Sequence, residues 1–199
     1  LLVMKFSSLI ILVFVKNLTI RQIERSTSSL WDEIRQRSEL PYDASRSEIQ
    51  KSTLRYDSNQ YVVNRLSKNG QRYLYYTYLK ALERNLPVEL SLIPFVESQF
   101  DPYAQSSTGA SGIWQFIAST GRENGLKKNW WYDARRDIVA STDAAYNFLE
   151  KLYAEHNDWL LAIAAYNAGP SRVRKEVKKN RSKGLPADFW SLNLPKETK

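Results

Sequence analysis

The chain contains no cysteine, which excludes disulfides, thiolate metal sites, cysteine nucleophiles and a lipid-modified cysteine. The compartment stays open, because a protein outside the cytoplasm can do without disulfides. Histidine is nearly as scarce. The single His156 lies in the polar stretch Glu155-His156-Asn157-Asp158, so it reads as a surface side chain, and a histidine-based triad is hard to assemble from it. Glycine and proline number 7 each, too few for a turn-rich all-β sandwich. Zinc-finger spacing, RNA-binding aromatic motifs, helix-turn-helix patterns, internal repeats and low-complexity tracts are all missing, so no nucleic-acid partner is expected.

What is present is a chain of 199 residues, 43% apolar and 13% aromatic, enough for one medium domain with extensions. The net charge of +8 suits either a polyanionic partner or a solvated basic surface. The positive charge thickens between Arg172 and Lys183, where seven of twelve residues are Lys or Arg.

Four segments follow from the pattern. Residues 1–25 hold a signal-like or anchoring stretch: Met4 to Val15 resembles the basic and apolar regions of an export signal. That run is short for a membrane span, and the following Lys16, Asn17 and Leu18 offer no small-residue cleavage site. Residues 26–70 read as a helical extension with apolar positions at Leu30, Ile34, Leu40, Leu54, Tyr61 and Leu66. Residues 71–180 carry the main domain, and 181–199 a polar tail anchored by Phe189 and Trp190.

Within the main domain, Tyr75, Leu79, Leu82 and Leu86 recur at helical spacing, with Asn85 as a stop ahead of Pro87. Val88 to Val96 is apolar on nearly all sides and is expected to be buried, with Pro94 kinking or tightening it. Asp101 to Gly112 reads as a loop, and Ile113 to Glu123 as a helix ended by Asn124-Gly125. Asp137 can cap a helix whose inner face is Ile138, Thr142, Ala145, Leu149 and Leu152. Trp159 to Asn167 reads as another apolar helix, closed by Gly169-Pro170, and Val173 and Val177 stripe a basic last helix. The fold class is all-α, with room for one small hairpin.

Glu97 is the side chain most suited to chemistry. It ends an apolar helix, and a carboxyl at the lip of an apolar core loses hydration, which disfavours its ionised form. A glutamate so placed can act as a general acid near neutral pH. Further on, Gly112-Ile113-Trp114-Gln115-Phe116 combines a glycine that permits close approach, an amide for hydrogen bonds and aromatic faces for sugar rings. Ala164 to Gly169 places Tyr166 and Asn167 at the end of a buried helix. The hydroxyl could meet a carboxyl, and the amide an N-acetyl group. Together these residues suggest a sugar-binding cleft.

Ile93, Glu97-Ser98, Pro102, Ser106 and Gly112-Ile113-Trp114-Gln115-Phe116 resemble the signature of the soluble lytic transglycosylases, the SLT-domain family. Ala165-Tyr166-Asn167-Ala168-Gly169 resembles that family's later motif, and Tyr132 to Asp137 and Asp188 to Leu192 extend the likeness. One departure is Ile117-Ala118, where family members often have a hydrophobic residue followed by proline. The resemblance implies a lysozyme-like fold of the goose-type lysozyme and lytic transglycosylase kind. It implies non-hydrolytic cleavage of the β-1,4 bond between N-acetylmuramic acid and N-acetylglucosamine in peptidoglycan, leaving 1,6-anhydromuramoyl ends. It implies that Glu97 is the sole catalytic acid/base, with Tyr166 beside it and Ser98, Gln115 and Asn167 lining or bracing the glycan site. Ser106, Gly112 and Phe116 complete the expected substrate-binding set. No cofactor or metal is expected. Peptidoglycan strands are the expected partner, in the periplasm or cell envelope, with membrane association through the N-terminal segment.

The residues agree with a single acid. Most glycosidases need two flanking carboxylates. Here Asp101 reads as a turn residue before Pro102, and Asp133 and Asp137 read as caps and arginine partners. Two alternatives stay open: a goose-type-lysozyme-like hydrolase using Asp101, Asp133 or Asp137 to position water, and a non-catalytic cell-wall-binding module.

Overall fold

A computed structural model describes residues 28–50, 60–196 and 198. The signal-like segment and Leu54 therefore lie outside the described residues. The described residues are helical, with no strand; three isolated antiparallel bridges, Gln105 with Ser111, Ser111 with Phe116 and Lys128 with Asp133, take the place of the hairpin.

The elements are α1 (Ser28–Gln36), α2 (Gln60–Glu83), a 3-10 turn (Val88–Leu92), α3 (Ile93–Ser98), α4 (Ala118–Glu123), a second 3-10 turn (Ala134–Arg136), α5 (Ile138–His156), α6 (Trp159–Ala168) and α7 (Pro170–Ser182). Helix α6 is apolar around its circumference and sits in the centre, with Leu160 to Ala165 buried and α5 and α7 packed on it. The corner between α5 and α6 is two residues long. Asn157 closes α5 in the left-handed conformation, and Asp158 caps α6 by accepting the N–H groups of Leu160 and Leu161 at 2.7 and 3.1 Å. Gly169 ends α6, and Pro170, which needs no N–H partner in a first turn, starts α7. The stripe of Val173 and Val177 is buried as read.

Two helices depart from their sequence reading. Helix α2 begins at Gln60 and runs through the boundary placed at residue 70. Its core face is Leu74, Thr77, Tyr78 and Ala81, whereas Tyr75 is 56% exposed. The buried hydroxyls decide this face: Thr77 donates to Ser91 O at 3.2 Å, and Tyr146 of α5 donates to Thr77 O at 2.6 Å. Residues 113–117 are not helical, and only Ala118–Glu123 forms α4. Gly112 (φ +82°) and Gln115 (φ +50°) lie in the left-handed region, which a helix cannot include.

The segments flanking the main domain join its core. Trp31, Ile34, Leu40 and Ile49 are buried in it, as are Phe189, Leu192 and Leu194. Buried Glu89 staples the first of them by accepting the Leu40 N–H at 2.8 Å. Loss of hydration raises its pKa above the ordinary carboxylate value. His156 is not a surface residue: its side chain is only 5% exposed, because α5 carries it inward one residue before the corner.

Candidate active site

Glu97 stands on α3, a short helix whose preceding residues Ile93 to Val96 are all buried. Pro94 occupies the first turn of α3, where it costs no hydrogen bond and marks the change from 3-10 to α geometry at Ile93. The helix ends at Ser98, one residue after Glu97. Gln99 and Phe100 both take left-handed φ values, 54° and 56°, and return their N–H groups to Phe95 O and Pro94 O at 2.8 and 3.2 Å. Asn69 of α2 donates its amide to Gln99 O at 3.0 Å. Glu97 is left half-buried at the edge of an apolar wall.

A loop from 104 to 116 faces this helix end, and Arg135 holds it. The guanidinium is 5% exposed and grips Asp133 with Nε at 2.9 Å and Nη2 at 2.6 Å. Its Nη1 donates to the carbonyls of Gly109 and Phe116 at 2.8 and 2.9 Å. Charge-assisted bonds of this kind are about twice as strong as neutral ones. The arginine hydrogen bonds hold the Asp133 carboxyl below its ordinary pKa. Ser98 ties α3 to the same loop, its hydroxyl lying 2.9 Å from Ile113 O and 3.0 Å from Pro94 O.

The end of α6 supplies the third wall. Asn167 donates Nδ2 to Glu97 Oε1 at 3.3 Å, and its own Oδ1 accepts the hydroxyl of buried Thr198 at 2.9 Å. Tyr166 donates its hydroxyl to Trp114 O at 2.7 Å. Burial, and then the nearby Glu97 charge, push this phenol well above its ordinary pKa, so it remains a neutral donor. The bond expected between Tyr166 and the Glu97 carboxyl is thus replaced by one to the loop backbone.

The structure brings Glu97, Ser98, Tyr166 and Asn167 together and gives the remaining positions other work. Gly112 is needed for the loop's own backbone: a Cβ there would meet Arg135 O at 1.7 Å, so the close approach is internal. Trp114 and Phe116 are 0% and 3% exposed and offer no face to a sugar. Trp114 donates Nε1 to Thr142 at 3.0 Å, and Phe116 packs on Phe148 and Tyr166. These aromatics fill the core because the loop turns inward at Gly112. Gln115 donates Nε2 to Gly112 O and Ala104 O at 2.7 and 3.2 Å, while its Oε1 is buried without a partner. Ser106 braces a turn by accepting the Ala110 N–H at 2.9 Å.

The three aspartates are placed as read. Asp101 accepts the Tyr103 N–H at 2.9 Å in a turn, Asp133 pairs with Arg135, and Asp137 caps α5 through Ala140 N at 2.9 Å. Among the described residues no cluster of acidic or histidine side chains is placed to hold a metal ion. Arg135 and Thr198 were not legible as site residues. The acids flanking Asp133-Ala134-Arg135-Arg136-Asp137 hint at the first, and nothing in the spacing marks the second.

Residues 75–188 match the family model described as the transglycosylase SLT domain. The chain belongs to the SLT family. The SLT fold is the lysozyme-like, helical one, in keeping with the elements above. Over 152 residues the chain is 47% identical to membrane-bound lytic murein transglycosylase D of Escherichia coli (strain K12), covering 76% of this chain and 34% of that protein. Over 124 residues it is 40% identical to an Alteromonas sp. (strain M-1) protein named for tributyltin chloride resistance, covering 62% and 60%. Membrane-bound lytic murein transglycosylase F of Desulfosudis oleivorans is 30% identical over 108 residues, covering 51% of this chain and 22% of its own. The chain thus spans about a third of the length of the first of these SLT relatives.

Proposed function

We propose that this chain cleaves the β-1,4 bond between N-acetylmuramic acid and N-acetylglucosamine in peptidoglycan strands without consuming water. Glu97, as the acid, gives its proton to the leaving glycosidic oxygen as the bond to C1 breaks. The carboxylate then takes the proton of the muramoyl 6-hydroxyl as that oxygen bonds to C1. Glu97 ends in its starting state, and the product carries a 1,6-anhydro end. Asn167 aims the carboxyl, and Tyr166 and Ser98 hold the loop backbone opposite it.

The observation that carries this reading is how the acids are placed. Glu97 lies at the lip of an apolar wall with Asn167 3.3 Å away, while Asp101, Asp133 and Asp137 are held by a turn, an ion pair and a cap. A mechanism that uses the sugar's own hydroxyl needs one carboxyl, whereas hydrolysis needs a second group to position water. Family membership and the murein transglycosylase names of the relatives support the same reaction.

We assign the protein to the cell envelope on the same grounds, with the exposed basic face of α7 turned toward the carboxylates of peptidoglycan stems. Membrane association through the N-terminal segment belongs to this proposal; among the described residues no helix is long and apolar enough to cross a membrane. The test is Glu97→Gln, together with mass spectrometry of digested peptidoglycan. The variant keeps its fold and loses at least about 10²–10⁴-fold in turnover, the usual contribution of a general acid/base. Reducing ends in place of anhydro ends would assign the site to hydrolysis.

A further inference from the structure

Three consecutive aromatic side chains are exposed at one place on the surface. Trp130 and Trp131 are 87% and 70% exposed, and Tyr132 is 43% exposed. Isolated apolar side chains on a surface need no explanation, but adjacent tryptophans left in water do.

The segment that carries them is built to hold them out. Lys128 and Asp133 bridge in antiparallel fashion, and Ala134 N donates to Lys127 O at 2.9 Å. Asn129 N donates to Tyr132 O at 2.8 Å, and the Asn129 side chain accepts the N–H groups of Trp131 and Tyr132 at 3.2 and 2.7 Å. The tryptophans are therefore the central residues of a closed turn. The stem of this turn leads directly into Arg135, which is locked into the protein. Little further ordering is required for the tip to engage a partner.

We propose that the Trp130-Trp131 turn docks this protein on the headgroup region of an anionic lipid bilayer. Three observations favour that occupant over a glycan. The tip is a convex turn apex, whereas sugar and small-ligand sites are concave. The rings meet edge to face, with centroids 4.4 Å apart and planes at 77°, and so present no shared flat platform for stacking. Lys127 and Lys128 are exposed beside them; Lys128 lies 3.9 Å from Asp133, whose closer partner is Arg135 at 2.6 Å. Tryptophan and lysine together suit the headgroup layer: the indole body takes the acyl boundary, its N–H stays hydrated, and the ammonium meets phosphate.

The absence of cysteine allows a direct test on the whole chain. Trp131→Cys carries an environment-sensitive dye at the tip, and Ala154→Cys on the exposed side of α5 carries it elsewhere. Vesicles of phosphatidylcholine with phosphatidylglycerol are compared with phosphatidylcholine alone. The expected result is a blue shift and brightening of the tip dye only, with the anionic vesicles preferred. The double variant Trp130→Ser with Trp131→Ser binds these vesicles roughly ten- to a hundredfold more weakly, as expected for losing partial burial of both rings. Its melting temperature and its cleavage of soluble glycan stay unchanged. The N-terminal apolar segment is common to every variant and cancels in the comparison. An unchanged tip dye overturns the proposal, as does equal vesicle binding by the double variant. Loss of glycan binding with vesicle binding intact overturns it too, and reassigns the turn to sugar.

Discussion

Replacing Arg135 by Met keeps most of the side chain's volume and removes the guanidinium. The Asp133 carboxylate, with 14% side-chain exposure, loses both its close bonds, and the carbonyls of Gly109 and Phe116 lose a charged donor. Gly109 is half exposed, so water can replace the arginine there, but Phe116 is buried. Removing one partner of a buried pair costs about 3–5 kcal/mol. That is a large share of the roughly 5–15 kcal/mol that holds a domain folded. Urea unfolding at constant slope is the assay. The pH dependence gives a second check. Asp133 has a lowered pKa when folded, so its contribution is present above its ordinary value of 3.8 and is lost as pH falls through the lowered one. The gap between wild type and variant should therefore narrow in acid. Adding Asp133→Asn to Arg135→Met should recover part of the loss, because the carboxylate that lost its arginine is then neutral and Lys128, its other partner, is exposed to water. A loss below about 1 kcal/mol, or a gap that ignores pH, would refute the view that Arg135 holds the loop through its charge.

Tyr166→Phe removes the donor to Trp114 O and should cost about 1–3 kcal/mol in stability, with slower turnover at a temperature where the variant is folded. Unchanged stability would mean that the carbonyl finds another partner. Gly112→Ala should fail to give a stable fold, since both its φ of +82° and the 1.7 Å approach to Arg135 O forbid a Cβ; a normal melting curve would contradict this. Glu89→Gln should flatten the pH dependence of stability. The raised pKa of Glu89 means that its contribution is complete below the ordinary value of 4.5 and is lost as pH rises through the folded value. If titration curves of variant and wild type run parallel, Glu89 titrates alike in both states.

The parts of the fold that sequence patterns revealed are those governed by local chemistry. Asp137, Asn124-Gly125 and Gly169-Pro170 set helix ends through groups within a few residues, and the structure uses them so. The apolar run from Val88 to Val96 could only be buried. What escaped depends on partners distant in the chain. Ile113 to Phe116 has helical composition, yet Gly112 and Gln115 turn it inward to meet Arg135 and Tyr166. Trp114 and Phe116 therefore read as sugar platforms and are core. Tyr75 fits the helical period as well as Leu74 does, and the packing of α5 and of the Val88–Leu92 turn decides between them. For the candidate site, the place of Glu97 at the end of a buried apolar helix was legible in the run before it. The direction of the Tyr166 hydroxyl was not, since pattern carries no angles.

The two left-handed residues behind Glu97 have a consequence for anyone engineering this protein for heat. Left-handed geometry costs a non-glycine residue about 1–2 kcal/mol, so Gln99 and Phe100 are among the positions where a stability screen would reward glycine. Phe100 is fully buried, and glycine there would exchange backbone relief for a hole. Gln99 is only partly buried and would be favoured over Phe100. It is also two residues from the acid, at the point where the chain is bent to leave that carboxyl on the lip. A glycine there frees the bend in both the folded and unfolded chain. A library ranked on melting temperature alone would thus enrich for variants in which the Glu97 carboxyl has lost its aim, and the proposed activity has to be scored in the same round.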